Sequence, residues 1–163
     1  MFETFETNKK LGQNFLKDAG VVDKMVNALG ISEGDVVLEI GVGTGALTRK
    51  VVTHLKNDNK LVGIDVDARF VDFLEKEFSS RENVRIVKES VLDFLPNFAP
   101  DAPLKVLGSL PYYITSPILH AIVKMPVRPA VTILLIQKEV AEKILNKKSN
   151  YLSTFMQTFF DVE

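Results

Sequence analysis

A chain of 163 residues, 46% hydrophobic and 25% charged, is long enough to bury a substantial core and too apolar to be a disordered polymer. Its 20 Lys and Arg nearly balance 21 Asp and Glu, for a formal net charge of -1, so any nucleic-acid-binding face must be a local patch. The absence of cysteine excludes disulfides, thiolate nucleophiles and Cys-ligated zinc, and accords with a reducing cytoplasm.

Taken in chain order, Met1 to Glu6 is acidic and carries no signal-peptide pattern. Val36 to Ile40 reads as a strand ending in a glycine-rich turn. Residues 46–56 then predict a helix, with Leu47, Val51 and Leu55 at helical spacing. Leu61 to Asp65 is a second strand, followed by a helix whose Phe70, Phe73, Leu74 and Phe78 share one face. Val84 to Val87 and Leu104 to Leu107 are the third and fourth strands, with a surface loop over residues 95–103 between them. Ser116 and Pro117 favour a helix start, and that helix runs to Val123.

Ala130 to Ile136 predicts a fifth strand, apolar enough to be buried on both faces. Helical segments follow near 138–146 and 150–160. The longest aliphatic run, around Val131 to Ile136, falls far short of the roughly 20 residues a membrane helix needs. Repeated β-α alternation argues for an α/β fold, a parallel sheet with helices on both faces. No repeat or linker divides residues 1–163.

The chemistry gathers at the first turn. Gly41-Val-Gly-Thr-Gly45 follows a strand and opens a helix, where the backbone can turn tightly and approach a ligand. Asp65 ends the next strand, the place that receives a ribose in nucleotide-binding α/β folds. A glycine cluster alone can be no more than a tight connection. Its spacing differs from the dinucleotide pattern, and with Glu39 before it favours S-adenosylmethionine over NAD.

Four ordered motifs make the reading specific: Lys10-Leu-Gly-Gln-Asn-Phe-Leu16, Val37-Leu-Glu-Ile-Gly-Val-Gly-Thr-Gly-Ala-Leu-Thr48, Gly108-Ser-Leu-Pro-Tyr-Tyr-Ile-Thr-Ser-Pro117 and Gln137-Lys-Glu-Val-Ala-Glu142. Together they resemble the ribosomal RNA adenine dimethyltransferase family, and the third leans towards its small-subunit branch. The resemblance implies a Rossmann-like class I methyltransferase domain over 1–163, cut short of the family's C-terminal strands and helical domain. It implies S-adenosylmethionine as cofactor, small-subunit ribosomal RNA as partner, no metal, no membrane and a cytoplasmic setting.

For the cofactor, the resemblance implies contacts from Gln13, Asn14 and Leu16 and from Gly41, Gly43 and Gly45. It adds Asp65 at the ribose, Ser90 at the adenine, and Val66, Val91 and Ser109 as further cofactor contacts. Two positions depart from the family: Ser90 stands where an aspartate is usual, and Ser109 where asparagine is usual. With Ser90 facing the adenine, Glu89 is expected to point elsewhere if the strand continues through it.

Chemistry is expected at Ser109, Leu110, Pro111 and Tyr112. The Ser109 hydroxyl and Leu110 carbonyl would accept the hydrogens of the target amine, Pro111 would fix the loop and Tyr112 would stack on the extruded base. Tyr113, His54 and His120 read as packing or surface residues, and Asp93 as part of a turn. Lys9, Lys10, Lys147 and Lys148 are candidate phosphate contacts, though a solvated surface is the commoner role of such residues. Two other functions fit parts of the pattern: a non-catalytic RNA-binding or ribosome-assembly module, favoured by the two serines, and a nucleotide-dependent oxidoreductase, which the glycine spacing disfavours.

Overall fold

Apolar, β-branched runs form five strands: β1 (Val36–Ile40), β2 (Lys60–Asp65), β3 (Val84–Lys88), β4 (Leu104–Ser109) and β5 (Val131–Leu135). The computed structural model describes residues 16–56, 58–145 and 150–163. All strand pairs are parallel, in the order β3-β2-β1-β4-β5. The chain therefore reverses its direction of travel across the sheet between β1 and β4, and open α/β sheets bind ligands at such a point.

Among the described residues, seven α-helices accompany the sheet: α1 (Ala19–Leu29), α2 (Ala46–Val52), α3 (Ala68–Glu77), α4 (Val91–Phe94), α5 (Thr115–Val123), α6 (Lys138–Leu145) and α7 (Tyr151–Phe159). Because side chains alternate along a strand, β1 serves both layers. Val36, Leu38 and Ile40 pack with Ile118 and Ile122 of α5, whereas Val37 packs with Val26 of α1 and Val51 of α2. On β3, Ile86 meets Phe70 and Leu74 of α3. Leu119 of α5 joins Ile144 of α6 and Met156 of α7 in a further cluster.

Three local expectations change. Helix α1 was absent from the sequence reading, yet its caps are plain: Asp18 accepts from the amides of Gly20 and Val21 at 2.8 and 3.1 Å, and left-handed Gly30 closes it. Strand β5 is not buried on both faces. It pairs only with β4 among the described residues, and as an edge strand it is half-buried along Val131–Leu134. Asp93 lies within α4 rather than a turn, because the amides of Asp93 and Phe94 both return to the Ser90 carbonyl at 3.0 Å.

At the N-terminal ends of the strands a buried ion pair joins several segments. Lys105 Nζ of β4 lies 2.9 Å from Asp35, and it also donates to the Gly30 carbonyl at the end of α1. Asp35 accepts from the Ser32 amide at 2.7 Å, while buried Asn59 donates to the Ser32 carbonyl at 2.6 Å. Truncating one member strands the other charge away from water. Lys105→Met is expected to cost about 3–5 kcal/mol, read as a lower urea midpoint at unchanged slope.

Candidate cofactor and substrate site

The C-terminal ends of all five strands open into one cavity of about 690 Å³. Glu39 and the glycine loop come from β1, Asp65 and Val66 from β2, and Ser90 and Val91 follow β3. Ser109 to Tyr113 close it from β4, and Leu135 and Ile136 from β5.

The loop Gly41 to Gly45 is built on positive φ at three glycines: 76°, 47° and 84° at Gly41, Gly43 and Gly45. Gly45 is doubly constrained. An added Cβ would lie 2.6 Å from Leu74 Cδ2, in a backbone conformation that side chains resist. Between the glycines, buried Val42 anchors the loop over β2 at Gly63, where a Cβ would approach Val42 Cγ1 to 2.5 Å. Arg49 of α2 ties the loop to α3, donating to the Thr44 carbonyl at 2.8 Å and to both carboxylate oxygens of Glu77 at 2.7 Å.

Asp65 completes the cradle. Its Oδ2 accepts from the Gly43 amide and its Oδ1 from the Asp67 amide, each at 2.9 Å. Burial raises its pKa, and those two amides oppose the rise. A carboxylate has about four acceptor sites, so two amides leave capacity for a pair of ligand hydroxyls.

Glu39, which precedes the glycine loop, also lines the cavity, and the sequence alone assigns it no role there. It is fully buried, and its carboxylate oxygens make no hydrogen bond of ordinary geometry, although the Thr48 hydroxyl and amide lie close enough to favour the ionised form. Burial lifts its pKa from 4.5 to about 8; the neighbouring Thr48 side chain opposes that rise and the Asp65 charge adds to it. The signal was an acid inside an otherwise apolar, fully buried strand.

The structure gathers Leu16, Gly41, Gly43, Asp65, Val66, Ser90, Val91, Ser109, Leu110, Pro111 and Tyr112 at one cavity. Gly45 stands just behind the wall, at the N-cap of α2. Gln13 and Asn14 lie outside the described residues, as do Lys9, Lys10, Lys147 and Lys148. Ser90 caps α4 without using its side chain on the helix amides. Glu89 shares the cavity wall with Ser90, contrary to expectation, because β3 ends at Lys88 and strand alternation ends with it. Tyr113 is 62% exposed and is not a packing residue. His54 is on the surface and His120 packs against Phe155, with ring centroids 4.2 Å apart.

This sheet order, with a glycine loop after β1 and an acid ending β2, defines a Rossmann-like methyltransferase fold. The chain belongs to the ribosomal RNA adenine dimethylase family, whose model matches residues 4–163. It is 41% identical over 165 residues to ribosomal RNA small subunit methyltransferase A of Aster yellows witches'-broom phytoplasma (strain AYWB), covering 95% of this chain and 59% of that protein. The chain thus spans about three fifths of that relative's length. A dimethyladenosine transferase from Plasmodium falciparum superposes with a TM-score of 0.69 at 29% identity, over 82% of this chain and 47% of that one. The 23S rRNA methyltransferase ErmE gives 0.67 at 26% identity, over 80% and 50%.

The buried acid generates a pH prediction. Its folded-state pKa lies above that of an exposed carboxyl, so this group's contribution to stability is full below pH 4.5 and is lost as pH rises towards about 8. Across that window the slope approaches about 1.4 kcal/mol per pH unit. Glu39→Gln is expected to remove it, giving a larger rise in Tm at pH 8 than at pH 5 in thermal scans.

Proposed function

We propose that this chain binds S-adenosylmethionine in the strand-end cavity and directs its methyl group to adenine N6 of small-subunit ribosomal RNA, dimethylating it. One observation carries the reading: a single cavity unites a ribose-type acid, an unpaired buried acid and the Ser109-Leu-Pro-Tyr112 segment. The residues fit the cofactor, since Asp65 retains acceptor capacity and the orphaned Glu39 oxygens suit a ligand bearing positive charge. No helix among the described residues is long and apolar enough to cross a membrane. A cytoplasmic setting follows from the ribosomal substrate.

When bound, S-adenosylmethionine supplies an electrophilic methyl group carried on a sulfonium. Asp65 and Val66 would hold the ribose end, Ser90 and Val91 the adenine, and Leu16, Gln13 and Asn14 the methionine end. Gly41 and Gly43 allow close backbone approach. At the substrate, the adenine amine is a weak nucleophile because its lone pair is delocalised into the ring. The Ser109 hydroxyl and Leu110 carbonyl would accept its hydrogens and turn the lone pair towards the methyl group. Pro111 limits the loop's freedom, and Tyr112, 52% exposed at the cavity, offers a ring face to the extruded base.

Calorimetry of the chain tests the cofactor reading. Micromolar S-adenosylmethionine affinity, no NAD affinity, and tighter binding by Ser90→Asp are expected; no binding by a folded chain overturns it. Because a positive ligand favours ionised Glu39, binding at pH 7 should release a proton, seen as enthalpies that differ between phosphate and Tris buffers. Transfer of labelled methyl to small-subunit ribosomal RNA then tests the reaction. Cofactor and RNA binding without transfer would favour a non-catalytic RNA-binding module, the reading that Ser90 and Ser109 support.

A further inference from the structure

The residue after Tyr112 has no place in the chemistry described so far. Tyr112 and Tyr113 are the two central residues of a turn closed by the Ile114 amide on the Pro111 carbonyl at 3.3 Å. The Thr115 hydroxyl donates to the same carbonyl at 2.9 Å, and the Leu110 amide donates to the Leu135 carbonyl at 3.0 Å. Flanking the turn, Leu110 is 4% exposed and Thr115 only 1%. A firmly seated base therefore holds two neighbouring rings out at the cavity, 52% and 62% exposed. Neither ring takes part in the ring–ring or cation–ring contacts among the described residues.

A single ring serves a single extruded base. Extrusion also leaves the neighbouring nucleotide without a stacking partner on one side. We propose that Tyr113 is a second stacking platform, which takes the base adjoining the target adenine while Tyr112 takes the target. This inference rests on the RNA methyl-transfer reading and deepens it. An aromatic face recognises any base, so Tyr113 selects an unpaired, unstacked neighbour rather than a particular sequence.

The test uses a dye-labelled single-stranded oligoribonucleotide with one adenine, saturating S-adenosylhomocysteine and fluorescence anisotropy. Tyr113→Ala is expected to weaken RNA binding roughly 5- to 150-fold, with Tyr113→Phe retaining it. Replacing the nucleotides flanking the adenine by abasic sites should cost the wild-type chain a similar factor and cost Tyr113→Ala nothing more. Equal losses by Tyr113→Ala on intact and abasic RNA, or no loss at all, would overturn the proposal. Lost S-adenosylhomocysteine affinity in Tyr113→Ala would also overturn it, by showing a structural role. A wild-type chain that binds S-adenosylhomocysteine but no RNA overturns this proposal together with the RNA reading. Wild-type RNA binding and methyl transfer, with Tyr113→Ala undiminished, overturn this one alone.

Discussion

Asp65 holds two amides that belong to different segments, Gly43 in the loop after β1 and Asp67 at the start of α3. The glycine loop has left-handed glycines and little regular structure of its own, so its shape depends on what it is tied to. The Asp65 carboxylate fixes it to the end of β2 together with the Ile64 carbonyl, which accepts from the Gly41 and Val42 amides at 2.8 and 3.2 Å, and Val42 and Arg49 secure it further. The strand ends on either side then fall into place around it, because parallel register sets Ile40 of β1 against Ile64 and Gly108. The group that shapes the loop thus also faces the cavity.

Glu39 shows the opposite economy. Folding buries a carboxyl whose charged form Thr48 compensates only in part, which costs stability at neutral pH. A group that opposes folding and also lines the cavity is understandable if a ligand supplies what the protein withholds. Asp65 and Glu39 thus differ in kind: the first is satisfied by backbone amides and sets the loop's geometry, and the second is buried in the cavity wall with its charged form disfavoured.

Much of this was legible in the residues. The β-α alternation disclosed the parallel sheet, and the glycine loop with Asp65 pointed to the strand ends, where Gly41, Gly43 and Asp65 line one cavity. The rest depended on tertiary facts. The caps of α1, Asp18 and Gly30, are written in the sequence but flank a helix that precedes the β-α alternation and has no strand before it among the described residues. The apolar composition of β5 could not tell a central strand from an edge strand, since that depends on which strands pair. Tyr113 reads as packing until the turn geometry shows both neighbouring rings directed away from the core. Glu89 and Ser90 were separated by strand alternation that stops one residue too early.

The central claim is that a loop fixed by Asp65 forms an adenosine-cofactor cradle at the strand ends. Amide chemical-shift mapping with S-adenosylhomocysteine tests it most directly. The largest shifts are expected at Gly41, Gly43, Val66, Asp67 and Val91, and Asp65→Ala should abolish them in a chain that remains folded. Shifts confined to other surfaces, or a full response from Asp65→Ala, would contradict the account.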